Sequence, residues 1–275
     1  LPAAEAEARS DDQRADLALI IDVAREAGRL ALQWLQKGAR SWDKSPDNPV
    51  TEADLAVNDL IHHRLSAARP DYGWLSEETK DDPANRRQAR TFVVDPIDGT
   101  RAFVRGEPAF TVSIARLEGH RPAAGVVLNP MTNELFAASL GDPATLNGEA
   151  IRTTPNDTLD DCRMIGHSDM FAVKAGASPG PAMQFLRPVP SSLAYRLCLV
   201  ACGRWDAAVR LLPTNDWDIA AAVLILAEAG GKVTDSHGDE LRFNRASPIH
   251  RGVVAAGASL HPLLLDRLRR NGPQA

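Results

Sequence analysis

Asp95-Pro96-Ile97-Asp98-Gly99-Thr100 is the stretch of this 275-residue chain on which the rest of the reading turns. It follows Thr91-Phe92-Val93-Val94, an apolar run that predicts a buried strand. The strand delivers Asp95 at its C-terminal end. Pro96 fixes φ, so the chain bends and brings two carboxylates, Asp95 and Asp98, into one tight turn. Gly99 lets the backbone approach a ligand, and the amides that follow can cradle a phosphate. Two fixed carboxylates this close are costly unless a cation neutralises them. Oxygen ligands with no His or Cys nearby suit Mg²⁺ better than Zn²⁺.

Three further acidic segments bear on such a site. Ser76-Glu77-Glu78-Thr79 follows a short strand, Gly73-Trp74-Leu75. Asp216-Trp217-Asp218 opens a strongly apolar helix, where acidic residues also compensate the helix dipole. Thr51-Glu52-Ala53-Asp54 is a capping box, with Thr51 as the cap and Asp54 at N3. Taken singly, each is also explained by local structure.

Around these segments the chain reads as layered α/β. Residues 1–14 read as a flexible tail without the apolar stretch of a secretory signal. Leu17, Ile20, Ile21, Ala24, Leu30 and Leu35 recur at helical spacing over residues 15–36. Residues 37–49 read as a loop, residues 51–69 as a second helix, and residues 80–90 as a charged surface excursion. Segments 110–116, 123–128 and 134–138 predict an antiparallel sheet. Strands are expected at 162–167, 207–211, 232–234 and 252–256, and helices at 192–202, 217–228 and 260–270. The expected division is an N-terminal α+β unit over 15–156 with most of the acidic site residues. A C-terminal α/β unit over 157–270 carries Asp218.

Lys plus Arg number 31 against 36 Asp plus Glu, a formal net charge of −5, which argues against a nucleic-acid binder. Three cysteines make no disulfide framework and favour a reducing, cytoplasmic setting. The longest apolar run, Ile219 to Ala227, is far short of the ~20 residues that span a bilayer. Contact with a membrane would then be limited to association with its surface.

Taken together and in this order, the four acidic segments resemble the lithium-sensitive, Mg²⁺-dependent phosphatases of the inositol monophosphatase superfamily. The resemblance runs over about residues 15–257 and rests on Val50-Thr51-Glu52-Ala53-Asp54, Ser76-Glu77-Glu78, Asp95 to Thr100, and Trp217-Asp218-Ile219-Ala220-Ala221. It implies an α-β-α-β-α sandwich and two to three Mg²⁺ ions per site, with Li⁺ as an inhibitor. Glu77, Asp95 and the carbonyl of Ile97 would hold one ion, and Asp95, Asp98 and Asp218 a second. A weaker third would use Glu77 and solvent. Thr100, hydrogen-bonded to Asp54, would orient and deprotonate the attacking water, and Gly99 and Thr100 would bind the phosphate. Lys44 falls near a basic residue of the family.

Within the superfamily, Leu212-Pro213-Thr214-Asn215-Asp216-Trp217-Asp218 and Pro190-Ser191-Ser192-Leu193-Ala194-Tyr195 look like the CysQ branch, the 3′(2′),5′-bisphosphate nucleotidases. Inositol monophosphatases place an acidic residue seven positions before the helix-opening Asp, and that place is Leu211 here. The substrate implied is adenosine 3′,5′-bisphosphate, cleaved to AMP and phosphate in sulfur metabolism. Ser191, Ser192, Asp98 and Asp218 would line its pocket, and Arg196, Arg210 or Arg251 would meet the distal phosphate. The alternatives are an inositol-1-phosphate, histidinol-phosphate or fructose-1,6-bisphosphate phosphatase, or a non-catalytic phosphometabolite-binding regulator. The expected partner is a small phosphate ester, with the protein a monomer or homodimer.

Overall fold

The computed structural model describes residues 3–45, 48–171 and 181–271, with the backbone alone at 3–10, 44, 45, 48, 169, 170 and 271. The side chain of Lys44 lies outside the described residues. The first half runs α1 (Ala3–Lys37), β1 (Ser41–Ser45), β2 (Asn48–Thr51), α2 (Glu52–Ala68), β3 (Gly73–Ser76), β4 (Arg90–Asp98), α3 (Thr100–Val104), β5 (Thr111–Glu118), β6 (Arg121–Asn129), β7 (Glu134–Ser139), β8 (Thr145–Leu146) and β9 (Glu149–Ala150). The second runs β10 (Arg163–Ile165), β11 (Gln184–Phe185), α4 (Leu193–Ala201), β12 (Ala207–Arg210), β13 (Thr214–Asn215), α5 (Asp216–Glu228), β14 (Gly231–Thr234), β15 (Ile249–His250), β16 (Val253–Gly257) and α6 (Leu260–Asn271).

Strands β3 to β9 form a seven-stranded sheet in sequence order. Only the β3–β4 pair is parallel. A second sheet has the order β11-β10-β12-β16-β14. The period of two along the first sheet divides its side chains between two cores. Phe92, Val94, Val112, Ile114, Val126 and Leu128 pack with Ile20, Val23, Ala24, Ala27, Val57 and Ile61 of α1 and α2. Val93, Ala115, Leu117, Val127 and Phe136 face α4 and α5 instead. The far side of α4 and α5 meets Ile165, Ala208, Val253 and Ala255 of the second sheet. Its outer face is covered by Leu260, Leu264 and Leu268 of α6. The result is five layers, α-β-α-β-α.

Because α5 lies between two sheets, it is apolar all round, with Ile219, Leu224, Ile225 and Leu226 buried. It approaches β6 so closely that a Cβ on Gly125 would stand 3.0 Å from the Ala221 backbone. A helix clamped this way carries its N-terminus, and Asp218, to a fixed place at the end of the first sheet.

Three sequence readings are corrected. The stretch read as a tail is helical from Ala3, its Ala-, Glu- and Arg-rich residues being good helix formers. Within it, Asp12 pairs with Arg90. The loop of residues 37–49 contains a hairpin, with Trp42 opposite Val50 in β1 and β2. The charged excursion contains a 3-10 turn, Pro83–Arg86, whose Arg86 is buried.

Candidate active site

Strand β4 pairs regularly with β5 as far as Asp95 opposite Ser113, then slips before Asp98 opposite Thr111. Pro96 has no amide to offer the ladder at that point. The slip leaves both carboxylates at the strand end. Asp95 Oδ1 accepts from the Ile97 amide at 3.1 Å. Gly99 has φ +95°, and a Cβ there would lie 2.9 Å from Ala109 O and from Ser192 N. Both the left-handed conformation and the close approach of α4 require glycine.

Asp98 is buried, and its Oδ2 accepts from Ser192 Oγ at 2.6 Å and from the Ala194 amide at 2.8 Å. Ser192, the N-cap of α4, is itself fully buried and also meets Thr111 Oγ1 at 2.9 Å. Its side chain therefore stands behind Asp98 and orients that carboxylate.

Asp54 serves two neighbours. Its Oδ2 accepts from the Thr51 amide at 2.8 Å and from Thr51 Oγ1 at 2.5 Å, completing the capping box. Its Oδ1 accepts from Thr100 Oγ1 at 3.3 Å. The Ile97 carbonyl, at 3.2 Å, competes for the same hydroxyl proton. The cap thus fixes the carboxylate that faces Thr100.

Carboxylate oxygens of Glu77, Asp95 and Asp218 all lie within 4.8 Å of one another. Asp218 is held by the Asn215 amide at 2.8 Å. With Asp98, Gly99, Thr100, Ser191 and Val189 these residues line a cleft of about 380 Å³. Burial, then the charges of Glu77, Asp98 and Asp218, push the Asp95 carboxyl well above the usual carboxylate range. Asp98 is pushed up by burial to about 6, against the opposing hydrogen bonds from Ser192 and Ala194. Asp218 is pushed up by burial, and next by the charge of Asp98, to about 8. Such a set of half-buried and buried, mutually repelling oxygens fits hard divalent cations, which would remove the repulsion.

The cleft also carries basic residues. Arg101, Arg196, Arg210 and His167 line the same cleft. Arg196 is anchored by carbonyls, donating from Nε to Pro190 O at 2.6 Å and from Nη2 to Ser191 O at 3.2 Å. Burial lowers its pKa to about 10, and the nearby charge of Arg210 acts the same way. Two lining residues were not read from the sequence: Arg101, which directly follows Thr100, and His167, which is remote from every acidic segment. Arg251 instead lines a separate depression with Asp235 and Arg245. Tyr195 is core, its hydroxyl donating to Glu134 Oε2 at 2.5 Å. Leu211 is 40% exposed at the end of β12. Among the described residues no helix is long and apolar enough to cross a membrane.

Comparison with known proteins agrees with this geometry. The model of the inositol monophosphatase family matches residues 12–272. Inositol monophosphatase 2 of Solanum lycopersicum is 33% identical over 261 residues, covering 91% of this chain and 97% of the relative. Inositol-1-monophosphatase of Caulobacter vibrioides is 34% identical over 259 residues, covering 90% and 95%. The 3′(2′),5′-bisphosphate nucleotidase CysQ of Aggregatibacter actinomycetemcomitans is 30% identical over 232 residues, covering 82% and 86%. Among solved structures, the extragenic suppressor protein suhB of Bartonella henselae superposes with TM-score 0.79 at 29% identity, covering 94% of this chain and 100% of that one. The five layers, the carboxylates gathered at one strand end and these matches along nearly the whole length agree: the chain belongs to the inositol monophosphatase family and is a metal-dependent phosphate monoesterase.

Proposed function

We propose that the enzyme hydrolyses a small polyol phosphate of the inositol 1-phosphate kind with Mg²⁺ as its cation. The observation that carries the chemistry is the convergence of Glu77, Asp95 and Asp218 beside Asp98 and the Thr100–Asp54 pair. The substrate follows the names of most of the relatives. Glu77, Asp95 and the Ile97 carbonyl would hold one ion, and Asp95, Asp98 and Asp218 a second. A third, weaker ion would lean on Glu77, and Li⁺ would compete at one of these places. When bound, the ions supply charge neutralisation of the phosphoryl group, a more acidic water and a stabilised leaving oxygen.

The chain's own residues do the rest. Gly99 and Thr100 open α3 at the cleft floor, where their amides would receive the phosphate. Thr100 donates its hydroxyl proton toward Asp54 Oδ1, which turns a lone pair of the Thr100 oxygen to the attacking water. That oxygen takes the water's proton as Asp54 draws off the hydroxyl proton. Ser191 and Asp218 line the cleft and would border the alcohol of the substrate.

A second reading, adenosine 3′,5′-bisphosphate as substrate, is favoured by two features. Leu211 replaces the acidic residue expected for inositol recognition. Arg196 and Arg210 line the same cleft, where a second phosphate would meet them. Phosphate release from inositol 1-phosphate, adenosine 3′,5′-bisphosphate, histidinol phosphate and fructose 1,6-bisphosphate at fixed Mg²⁺ decides between them. A tenfold or greater kcat/KM preference for inositol 1-phosphate supports the first reading, and the same preference for the nucleotide replaces it with the second. No release from any of the four would refute both and favour a phosphometabolite-binding regulator.

A further inference from the structure

Glu77 and Asp218 come from opposite halves of the chain, and their like charges push them apart. Both belong to the same 4.8 Å cluster. A chain of hydrogen bonds outside the cleft ties the two segments together. Four residues past Glu77, Asp81 receives both Nε and Nη2 of buried Arg86, at 2.6 and 2.7 Å. Arg86 Nη1 then donates to the Arg245 carbonyl at 2.8 Å and to Asn244 Oδ1 at 3.2 Å. Asn244 returns a bond from Nδ2 to the Arg86 carbonyl at 2.9 Å. Its amide donates to Asp216 Oδ2 at 2.6 Å. Asp216, two residues before Asp218, is fixed on its other oxygen by His250 Nε2 at 2.8 Å. Asn244 sits at φ +53°, a conformation Asn tolerates better than most residues.

We infer that Arg86 and Asn244 are positioning residues that set the spacing of Glu77 and Asp218, and so the affinity of the site for its divalent cation. Neither touches the cleft, and neither takes part in the chemistry. The guanidinium fork spans Asp81 on one side and the Asn244 side chain with the 245 and 246 carbonyls on the other, a geometry a Lys cannot reproduce. The inference rests on the metal reading of the cluster and is independent of the organic substrate.

The test is Mg²⁺ binding by calorimetry on the substrate-free protein, with melting temperature in EDTA as the second readout. Asn244→Gly keeps the positive φ and the amide to Asp216 but removes both side-chain bonds to Arg86. Arg86→Lys keeps the charge and loses the fork. Each is expected to weaken Mg²⁺ binding about tenfold, the lower end of what removing a metal site's supporting hydrogen bonds does. Activity at saturating Mg²⁺ should stay within threefold of wild type. A role confined to stability would lower the melting temperature and leave Mg²⁺ affinity within twofold, which would overturn the inference. Unfolding of both variants would also overturn it, by making the network a determinant of the fold. Wild type that binds no Mg²⁺ would refute the metal reading beneath it.

Discussion

Replacing Asp98 by Asn separates the two roles this carboxylate holds. In the fold it accepts hydrogen bonds from Ser192 and from the Ala194 amide at the start of α4. In the cleft it adds negative charge to the Glu77–Asp95–Asp218 cluster. Asn keeps a carbonyl for the first role and loses the charge needed for the second. The carboxyl rises from 3.8 to about 6, so ionised Asp98 costs the metal-free fold about 3 kcal/mol near neutral pH. Its folded pKa lies above the unfolded one, so stability is lost as pH climbs through that interval. Asn removes most of that cost, which in a chain of this size corresponds to a melting temperature about 5 °C higher in EDTA at pH 7.5. Mg²⁺-dependent phosphate release should fall about a thousandfold or more, roughly 4 kcal/mol of transition-state stabilisation. Differential scanning fluorimetry with and without Mg²⁺, beside a phosphate-release assay, measures both. A variant less stable than wild type in EDTA and still active within tenfold would show that Asp98 is only a helix anchor, refuting the reasoning.

Thr100→Val should lower kcat by about 10²–10⁴ while leaving Mg²⁺ affinity within threefold, because it removes the proton path to Asp54 and no oxygen from the cluster; the Mg²⁺ dependence of kcat checks this. Ser192→Ala should destabilise the fold by about 1–2 kcal/mol, since it removes the cap on Tyr195 N and a bond to Asp98; urea unfolding reads it. Stabilisation by Mg²⁺ should grow as pH rises to about 8, where Asp218 loses its proton in the metal-free protein. A thermal-shift series at fixed Mg²⁺ that is flat across that range would contradict it. Arg210→Met should reduce kcat/KM for adenosine 3′,5′-bisphosphate at least tenfold and for inositol 1-phosphate less than threefold, by steady-state kinetics. An equal loss on both would place Arg210 on the reacting phosphate.

What the sequence made legible was local. The strand, Pro96 and Gly99 are adjacent, so the turn that gathers Asp95 and Asp98 can be read without tertiary information. The capping box of Thr51 and Asp54 was legible for the same reason. That the second oxygen of Asp54 meets Thr100, 46 residues away, came only from the family resemblance before the structure showed it. Neighbouring Ser191 and Ser192 look alike in sequence, yet one borders the cleft and the other caps α4 behind Asp98. Residues 80–90 read as solvated because they are charged. Arg86 is desolvated by carbonyls 159 and 160 residues further on, for which no local pattern exists. The hairpin of β1 and β2 was hidden by Pro49, a residue tolerated in a two-stranded edge pair.

Whether four repelling carboxylates form a cation site is decided by calorimetric titration of the substrate-free protein with Mg²⁺ at pH 7, in two buffers of different ionisation enthalpy. Saturable binding with proton release is expected, from the Asp218 carboxyl, which is pushed up to about 8 without the ion, and from the Asp95 carboxyl, which is also raised. No saturable heat at any Mg²⁺ concentration, or binding without proton release, would contradict it.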